Sequence, residues 1–331
     1  MKVAKLTTLL ALVIVAIIFQ LADRGVSGQE QKQLDPKAWG SNHVGKPVPE
    51  YLQGDECLFC HENAIGPTWQ KDPHAKTIRE REGAPDLVEF AKAEPRMNKF
   101  LKDIEFFIGS RNHIRMAKKT GYGRLALFSA GGTFTADKKE IKWTGLDQAA
   151  WDQDKFFNRC AGCHATGVDV EKKTHTAFSL DCYTCHGNAD IEHNKDSALM
   201  LLSKKKRNDA KVITSLCAQC HLREGKSRST GLPYPNNFIA GDNLFQDFEV
   251  DFSKADDANL NPGDRHIYRN VRDVVLKGDE SITCLNCHQV HGNATLRHRR
   301  ILRVPICSEC HAADSFKNAV KYQVHSAICE Y

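Results

Sequence analysis

Twelve of the chain's thirteen cysteines fall into six pairs of one form, each followed at once by a histidine. They are Cys57 and Cys60 with His61, Cys160 and Cys163 with His164, and Cys182 and Cys185 with His186. The other three are Cys217 and Cys220 with His221, Cys284 and Cys287 with His288, and Cys307 and Cys310 with His311. C-x-x-C-H is the attachment motif for haem c. The two thiols add to the porphyrin vinyl groups as thioethers, and the following histidine supplies the proximal iron ligand. Other uses of paired cysteines fit less well. A disulfide framework needs no histidines and would not repeat one spacing six times. Zinc ribbons have no reason to place His after every pair, and a thioredoxin-like pair occurs once per domain. With His at 15 of 331 positions, six chance followers would have a probability on the order of 10⁻⁸ if positions were independent.

The motifs therefore read as a hexahaem c-type cytochrome with six covalently bound haem c groups. What each iron can do depends on its second axial ligand. Nine histidines lie outside the motifs: His43, His74, His113, His175, His193, His266, His291, His298 and His325. Only Met97, Met116 and Met200 follow the initiator methionine, so His/Met ligation could serve only a minority of haems. An axial Met raises the reduction potential relative to His, so a bis-His set implies generally low potentials. His291 follows His288 by three residues and on a helical turn would share its face, which directs it to a neighbouring haem. His74 lies beyond the turn made by Pro73, and His193 follows His186 across a Gly-Asn segment able to loop back. These three lead the candidates. His113 and His266, after turns, and His325, closing a helix, form the second group. His43, His175 and His298 read as solvent-facing or propionate-bonding.

These groups need elements to hold them, and the composition offers modest means: 41% hydrophobic residues, 26% charged, four Trp, seven Tyr and sixteen Phe. The expected fold is mainly α with much irregular structure and a small β-hairpin, a multihaem cytochrome c fold whose covalent haems form the core. The motif starts at 160 and 182, and at 284 and 307, are so close that successive haems must be neighbours. Residues 76–120 read as helical, with Leu87, Phe90, Ala91, Met97, Phe100, Leu101 and Ile104 at helical spacing. Residues 124–144 read as a hairpin turning at Gly131 and Gly132. Residues 228–262, rich in Pro, Gly and Asn, read as an irregular surface excursion. A helix is expected over 314–324, where Phe316, Val320 and Val324 share a face. Cys329 is left over and reads as a free thiol near a chain end, with an intermolecular bridge or a sulfur ligand as the alternatives.

The N-terminus reads as an export signal. Lys2 and Lys5 precede an apolar run from Leu9 to Phe19, short for a membrane span. Val26 and Gly28 mark a cleavage site, and the competing reading is an uncleaved anchor over Leu6 to Ala22. The expected organisation is a signal at 1–28, a first-haem region with the hairpin at 29–155, and haems two to four at 156–225. An irregular connector at 226–283 and haems five and six at 284–331 follow. The formal charge is +5; cleavage removes Lys2, Lys5, Arg24 and Asp23 and leaves +3. Each oxidised haem with two propionates is about −1, so six bring the total to roughly −3. The basic segments Lys204 to Arg207 and Arg297 to Arg300 are thus expected as solvated faces or propionate counter-ions. A nucleic-acid partner is not expected.

The stretch Cys57-Leu-Phe-Cys-His61 with Trp69-Gln-Lys-Asp-Pro-His74-Ala resembles the N-terminus of the tetrahaem cytochromes c that accept electrons from hydroxylamine oxidoreductase. Cys160-Ala-Gly-Cys-His164-Ala-Thr-Gly and Cys182-Tyr-Thr-Cys-His186-Gly are similar to that family's middle motifs. Cys284-Leu-Asn-Cys-His288-Gln-Val-His291-Gly resembles a motif common in larger multihaem cytochromes. The resemblance covers about half the chain. It implies a mostly helical fold with little regular structure, stacked and perpendicular haem pairs, and His74 as a distal ligand. Six haems and the long segment from 226 to 283 depart from the family.

The expected function is single-electron transfer between redox-partner proteins outside the cytoplasm, with no catalytic residue assigned. The periplasm is the first expectation for location, with a membrane-anchored or extracellular protein as alternatives. The functional alternatives are an oxidoreductase with one open haem acting on a small nitrogen or sulfur compound, and a subunit of an extracellular haem filament.

Overall fold

The computed structural model describes residues 54–291, apart from 110–111, 136, 188–190, 197–199, 203–209, 277–282 and 289. The signal segment, His43, both basic segments, the sixth motif (Cys307 to His311), His298, the helix over 314–324, His325 and Cys329 lie outside the described residues.

The chain enters through two short helices, α1 (Gly54–His61) and α2 (Gly66–Trp69). It then builds a six-stranded antiparallel sheet. Its strands are β1 (Ile78–Glu80), β2 (Phe106–Ile108), β3 (His113–Gly121), β4 (Arg124–Phe134), β5 (Ile141–Thr144) and β6 (Trp151–Asp152). They run in the order β1-β2-β3-β4-β5, with β6 also on β4. Helix α3 (Pro85–Lys92), started by Pro85 at its first turn, lies between β1 and β2.

The sheet corrects three expectations. Among the described residues of 76–120, only α3, the 3-10 turns Pro95–Met97 and Leu101–Asp103, and Lys76 at the end of a 3-10 turn are helical. Ile114 and Met116 alternate with the exposed His113 and Arg115, which is strand patterning. The chain also does not turn at Gly131 and Gly132. Strand β4 continues through both, because a Cβ on Gly132 would strike Ile141 and Ile114; the glycines let β5 close over the strand. Finally, the hairpin is one part of a larger sheet, so a mainly α description understates the β structure.

Period-two alternation gives this sheet two buried faces. Phe107, Ile114, Met116, Phe128 and Ala130 face a cluster with Leu87 and Ala91 of α3, Met97, Ile104 and Leu146. Ile78, Phe106, Ile108, Ala117, Leu125 and Leu127 face Phe156, Phe157, Ala161 and Ala165. The region between the first two motifs therefore has an ordinary apolar core of its own. The second face holds α4 (Lys155–Arg159) and α5 (Ala161–His164), so the sheet positions the second motif.

A two-residue hairpin, β7 (Ala165–Thr166) with β8 (Ala177–Phe178), follows that motif. Helix α6 (Cys182–His186) is capped by the Asp181 carboxylate, which accepts from Tyr183 N at 2.9 Å. Gly187, with φ +65°, ends it. Helix α7 (Ala210–His221) buries Val212, Ile213 and Leu216. The segment after it includes the short pair β9 (Lys226–Ser227) and β10 (Phe248–Glu249). It is irregular as expected but is not a surface excursion. Tyr234, Ile239, Ala240, Leu244, Phe248 and Ala255 are buried in it. The buried Asp247 carboxylate satisfies its turns, accepting from Ser227 Oγ, Ser229 N and Asn236 N. Helices α8 (Pro262–Arg269) and α9 (Cys284–Cys287) complete the described chain. No helix among the described residues is long and apolar enough to cross a membrane.

Phe128 is fully buried, with ring centres of Phe100 and Trp151 at 4.6 and 4.9 Å. Phe128→Ala should destabilise the protein by about 3–5 kcal/mol, read as a lower denaturant midpoint by tryptophan fluorescence.

Candidate functional site

Each of the five described cysteine motifs sits on, or one residue beside, a helical turn: α1, α5, α6, the last turn of α7, and α9. Residues i, i+3 and i+4 share a helix face, so a one-turn helix presents two thiols and one imidazole together. That is the geometry thioether attachment requires.

The non-motif histidines complete the picture for three motifs. His193 lies opposite His61, ring centres 6.0 Å apart and planes 21° apart. His74 lies opposite His221 at 6.3 Å and 78°. His291 lies opposite His186 at 5.8 Å and 39°. A metal–imidazole bond is about 2 Å and the ring centre sits about 1.1 Å behind its nitrogen. Two imidazoles across one iron therefore have centres about 6 Å apart, and all three pairs meet that spacing.

Hydrogen bonds at Nδ1 leave Nε2 free for a metal. His186 Nδ1 donates to the Leu201 carbonyl at 2.9 Å, and His164 Nδ1 faces the Thr77 carbonyl at 3.4 Å. His74 Nδ1 bonds instead to the Asp72 carboxylate at 2.9 Å. Burial lowers the proton affinity of His164, His186 and His291. It takes His221 down to about 4, helped by the neighbouring His74. Neutral imidazole is the form that binds iron.

The thiols of different motifs also meet. Cys57 is within hydrogen-bonding reach of Cys182, Cys163 of Cys220, and Cys217 of Cys284. Burial pushes the Cys160 and Cys185 thiols up to about 11. Arg79 carries two buried guanidinium nitrogens, Nε and Nη2, with no hydrogen-bond partner. It lies two residues from Thr77, beside the second motif, where a carboxylate such as a porphyrin propionate would satisfy it. A shallow cleft lies beside the same motif, lined by Gly162, Thr166, Tyr183, Thr184, Gln219 and Tyr234. Facing imidazoles, clustered thiols and a guanidinium paired with Asp86 only through Nη1 all fit haem c.

Among the described residues His113 forms no such imidazole pair. His113 is exposed on β3, its Nδ1 3.1 Å from Thr133 Oγ1. His266 lies on α8. His288 follows α9, close enough to His221 to affect its proton affinity. Met97 and Met116 are fully buried in the sheet core. His175 corrects the solvent-facing expectation: it is 4% exposed, between Phe156 and Phe178, and its Nε2 has no hydrogen-bond partner. Its backbone N–H is held by the Gly123 carbonyl at 3.1 Å. Reasoning from sequence also missed Asp72, Thr77 and Arg79. For Asp72 the signal was present as Asp-Pro-His, a carboxylate two residues before a candidate ligand.

The family model for cytochrome c554 and c-prime matches residues 128–187, which contain the second and third motifs. No curated protein sequence matches. Among solved structures the chain is similar to the outer cell wall cytochrome OcwA, at 20% identity and TM-score 0.55, over 81% of this chain and 68% of that one. The described fold is thus similar to that of an outer cell wall cytochrome. An undecahaem cytochrome from the S-layer of Carboxydothermus ferrireducens also matches, at 15% identity and TM-score 0.45, over 81% of this chain and 44% of that one.

Burial holds the pKa of His175 down at about 4 against its ordinary 6.5. The unfolded chain then binds one proton more between those values, so stability is full above pH 6.5 and falls as pH drops toward 4. The loss totals roughly 3 kcal/mol. His175→Phe should remove about one proton from the slope of unfolding free energy against pH over that window, measured by denaturant titration.

Proposed function

We propose that the protein is a hexahaem electron carrier, exported from the cytoplasm, that passes single electrons between redox-partner proteins. The observation carrying this reading is the set of three imidazole pairs at iron-spanning distance. A haem closed on both sides by histidine has no position for substrate, and its task is electron transfer. His61 and His193 hold the first haem, His186 and His291 the third, and His221 and His74 the fourth.

The thiol contacts propose an order. Each cysteine is bonded to the edge of its own porphyrin, so sulfurs in contact mean porphyrin edges in contact. Cys57 with Cys182 joins haems one and three, Cys163 with Cys220 joins two and four, and Cys217 with Cys284 joins four and five. Cys185 is electrostatically coupled to Cys217 and Cys220, which links three to four. The path runs one, three, four, five, with haem two branching at haem four. When bound, the haems supply the redox chemistry. The protein's residues fix their ligands, spacing and surroundings. The apolar N-terminal run supports export, and likeness to an outer cell wall cytochrome supports a setting at the cell exterior.

A second reading attaches to the second motif. Among the described residues no imidazole forms a 6 Å pair with His164, so that haem is where a small nitrogen or sulfur compound could reach iron.

Haem analysis of the purified protein should give six haems, with at least three low-spin. Electron paramagnetic resonance should show a highly anisotropic low-spin signal for the near-perpendicular His74/His221 pair and a rhombic one for the near-parallel His61/His193 pair. His74→Ala should abolish the former alone. A spectrum dominated by high-spin iron overturns the carrier; one high-spin haem that shifts with nitric oxide supports the second reading.

A further inference from the structure

We propose that Asp72 sets the fourth haem, held by His74 and His221, at a lower reduction potential than the third. This deepens the carrier reading and rests on its assignment of His74 and His221 to one iron. Asp72 is fully buried. Its Oδ1 accepts from His74 N at 2.8 Å and from His74 Nδ1 at 2.9 Å. One oxygen thus fixes both the backbone and the ring of the ligand. The carbonyl of Trp69, at the end of α2, accepts from Asp72 N at 2.8 Å and anchors the loop.

The acceptor at the third haem is different in kind. His186 bonds to a backbone carbonyl, which is neutral. A carboxylate draws the Nδ1 proton more strongly and gives the ring imidazolate character, raising ligand basicity. A more basic ligand favours ferric over ferrous iron, because ferric iron carries the extra positive charge. With 0% exposure the carboxylate is little screened by water. It also reaches toward the third haem, partly opposing the burial that lowers His291 and adding to the burial that raises Cys185. The through-bond effect, however, falls on His74 alone. Asp72 is therefore a positioning and potential-setting residue at the proposed junction of the path.

The test uses the full holo-protein. Asp72→Asn keeps the shape and the acceptor oxygen but removes the charge. In a potentiometric titration followed by electron paramagnetic resonance, the highly anisotropic signal of the fourth haem should shift to higher potential. The expected change is at least tenfold in its one-electron reduction equilibrium, about 59 mV, and larger than at any other haem. Retention of the signal with less than a twofold change overturns the proposal. Should the variant not fold, the wild-type near-infrared charge-transfer bands decide. The fourth haem's band should lie at higher energy than the third's, and coincident bands overturn the proposal. If His74→Ala leaves every low-spin signal in place, it is the ligand assignment that fails, not the role of the carboxylate.

Discussion

Two imidazoles that share an iron must stand about 6 Å apart on a common axis, and most of this architecture follows from that demand. The partners cannot come from one motif, since a histidine beside the cysteines lies on the same face of the ring. In each observed pair the second histidine comes from a distant segment: His193 for His61, His74 for His221, His291 for His186. In the proposed holo-protein each iron is a cross-link between remote parts of the chain. Such links constrain the unfolded chain and make ligand binding part of folding. Short helices and irregular connections then suffice around the motifs, where a chain without haems would need longer elements.

The sheet answers a different need. It lies between the first and second motifs and has no ligand pair of its own, yet both its faces are buried. One face completes an apolar core with α3. The other receives Phe156 and Phe157, just ahead of Cys160, so the second motif rests on protein rather than on a histidine pair. Thr77 and Arg79, at the start of β1, bring polar groups to the same place. Thr77 Oγ1 donates to the His164 carbonyl at 3.0 Å, tying the sheet to the motif's last residue.

What was legible in the sequence follows the range of the interactions. Haem attachment is encoded in five consecutive residues, so reading it required no fold. His74, His193 and His291 could be proposed as ligands because each stands close to a motif or a turn. Their partners could not, because pairing is set by chain paths through space. His193 follows the third motif yet faces the first. Strands within 124–144 were legible, but the rest of the sheet was missed for a local reason: residues 97–104 carry apolar groups at helical spacing but are used in tight 3-10 turns, and Gly131 and Gly132 imitate a turn while allowing close strand packing. His175 was misjudged because a lone histidine beside threonines carries no sign of the aromatic box that buries it.

In the proposed holo-protein the thiol contacts would bring porphyrin edges so close that the haems could not titrate independently. Two unit charges about 10 Å apart at an effective dielectric near 20 interact by about 1–2 kcal/mol. An electron on one haem therefore makes its neighbour harder to reduce, even where ligands are identical. A chain of equal haems would spread its potentials by occupancy alone, and the resting place of the first electron would be arbitrary. Unequal hydrogen bonding at the axial ligands removes that degeneracy. On the proposed assignment, a carbonyl at His186 and a buried carboxylate at His74 would make haems three and four unequal before any electron arrives. Haem four is also where the proposed path branches. An electron finds its least favourable stop at the branch point, so it is passed on toward haem two, three or five rather than held there.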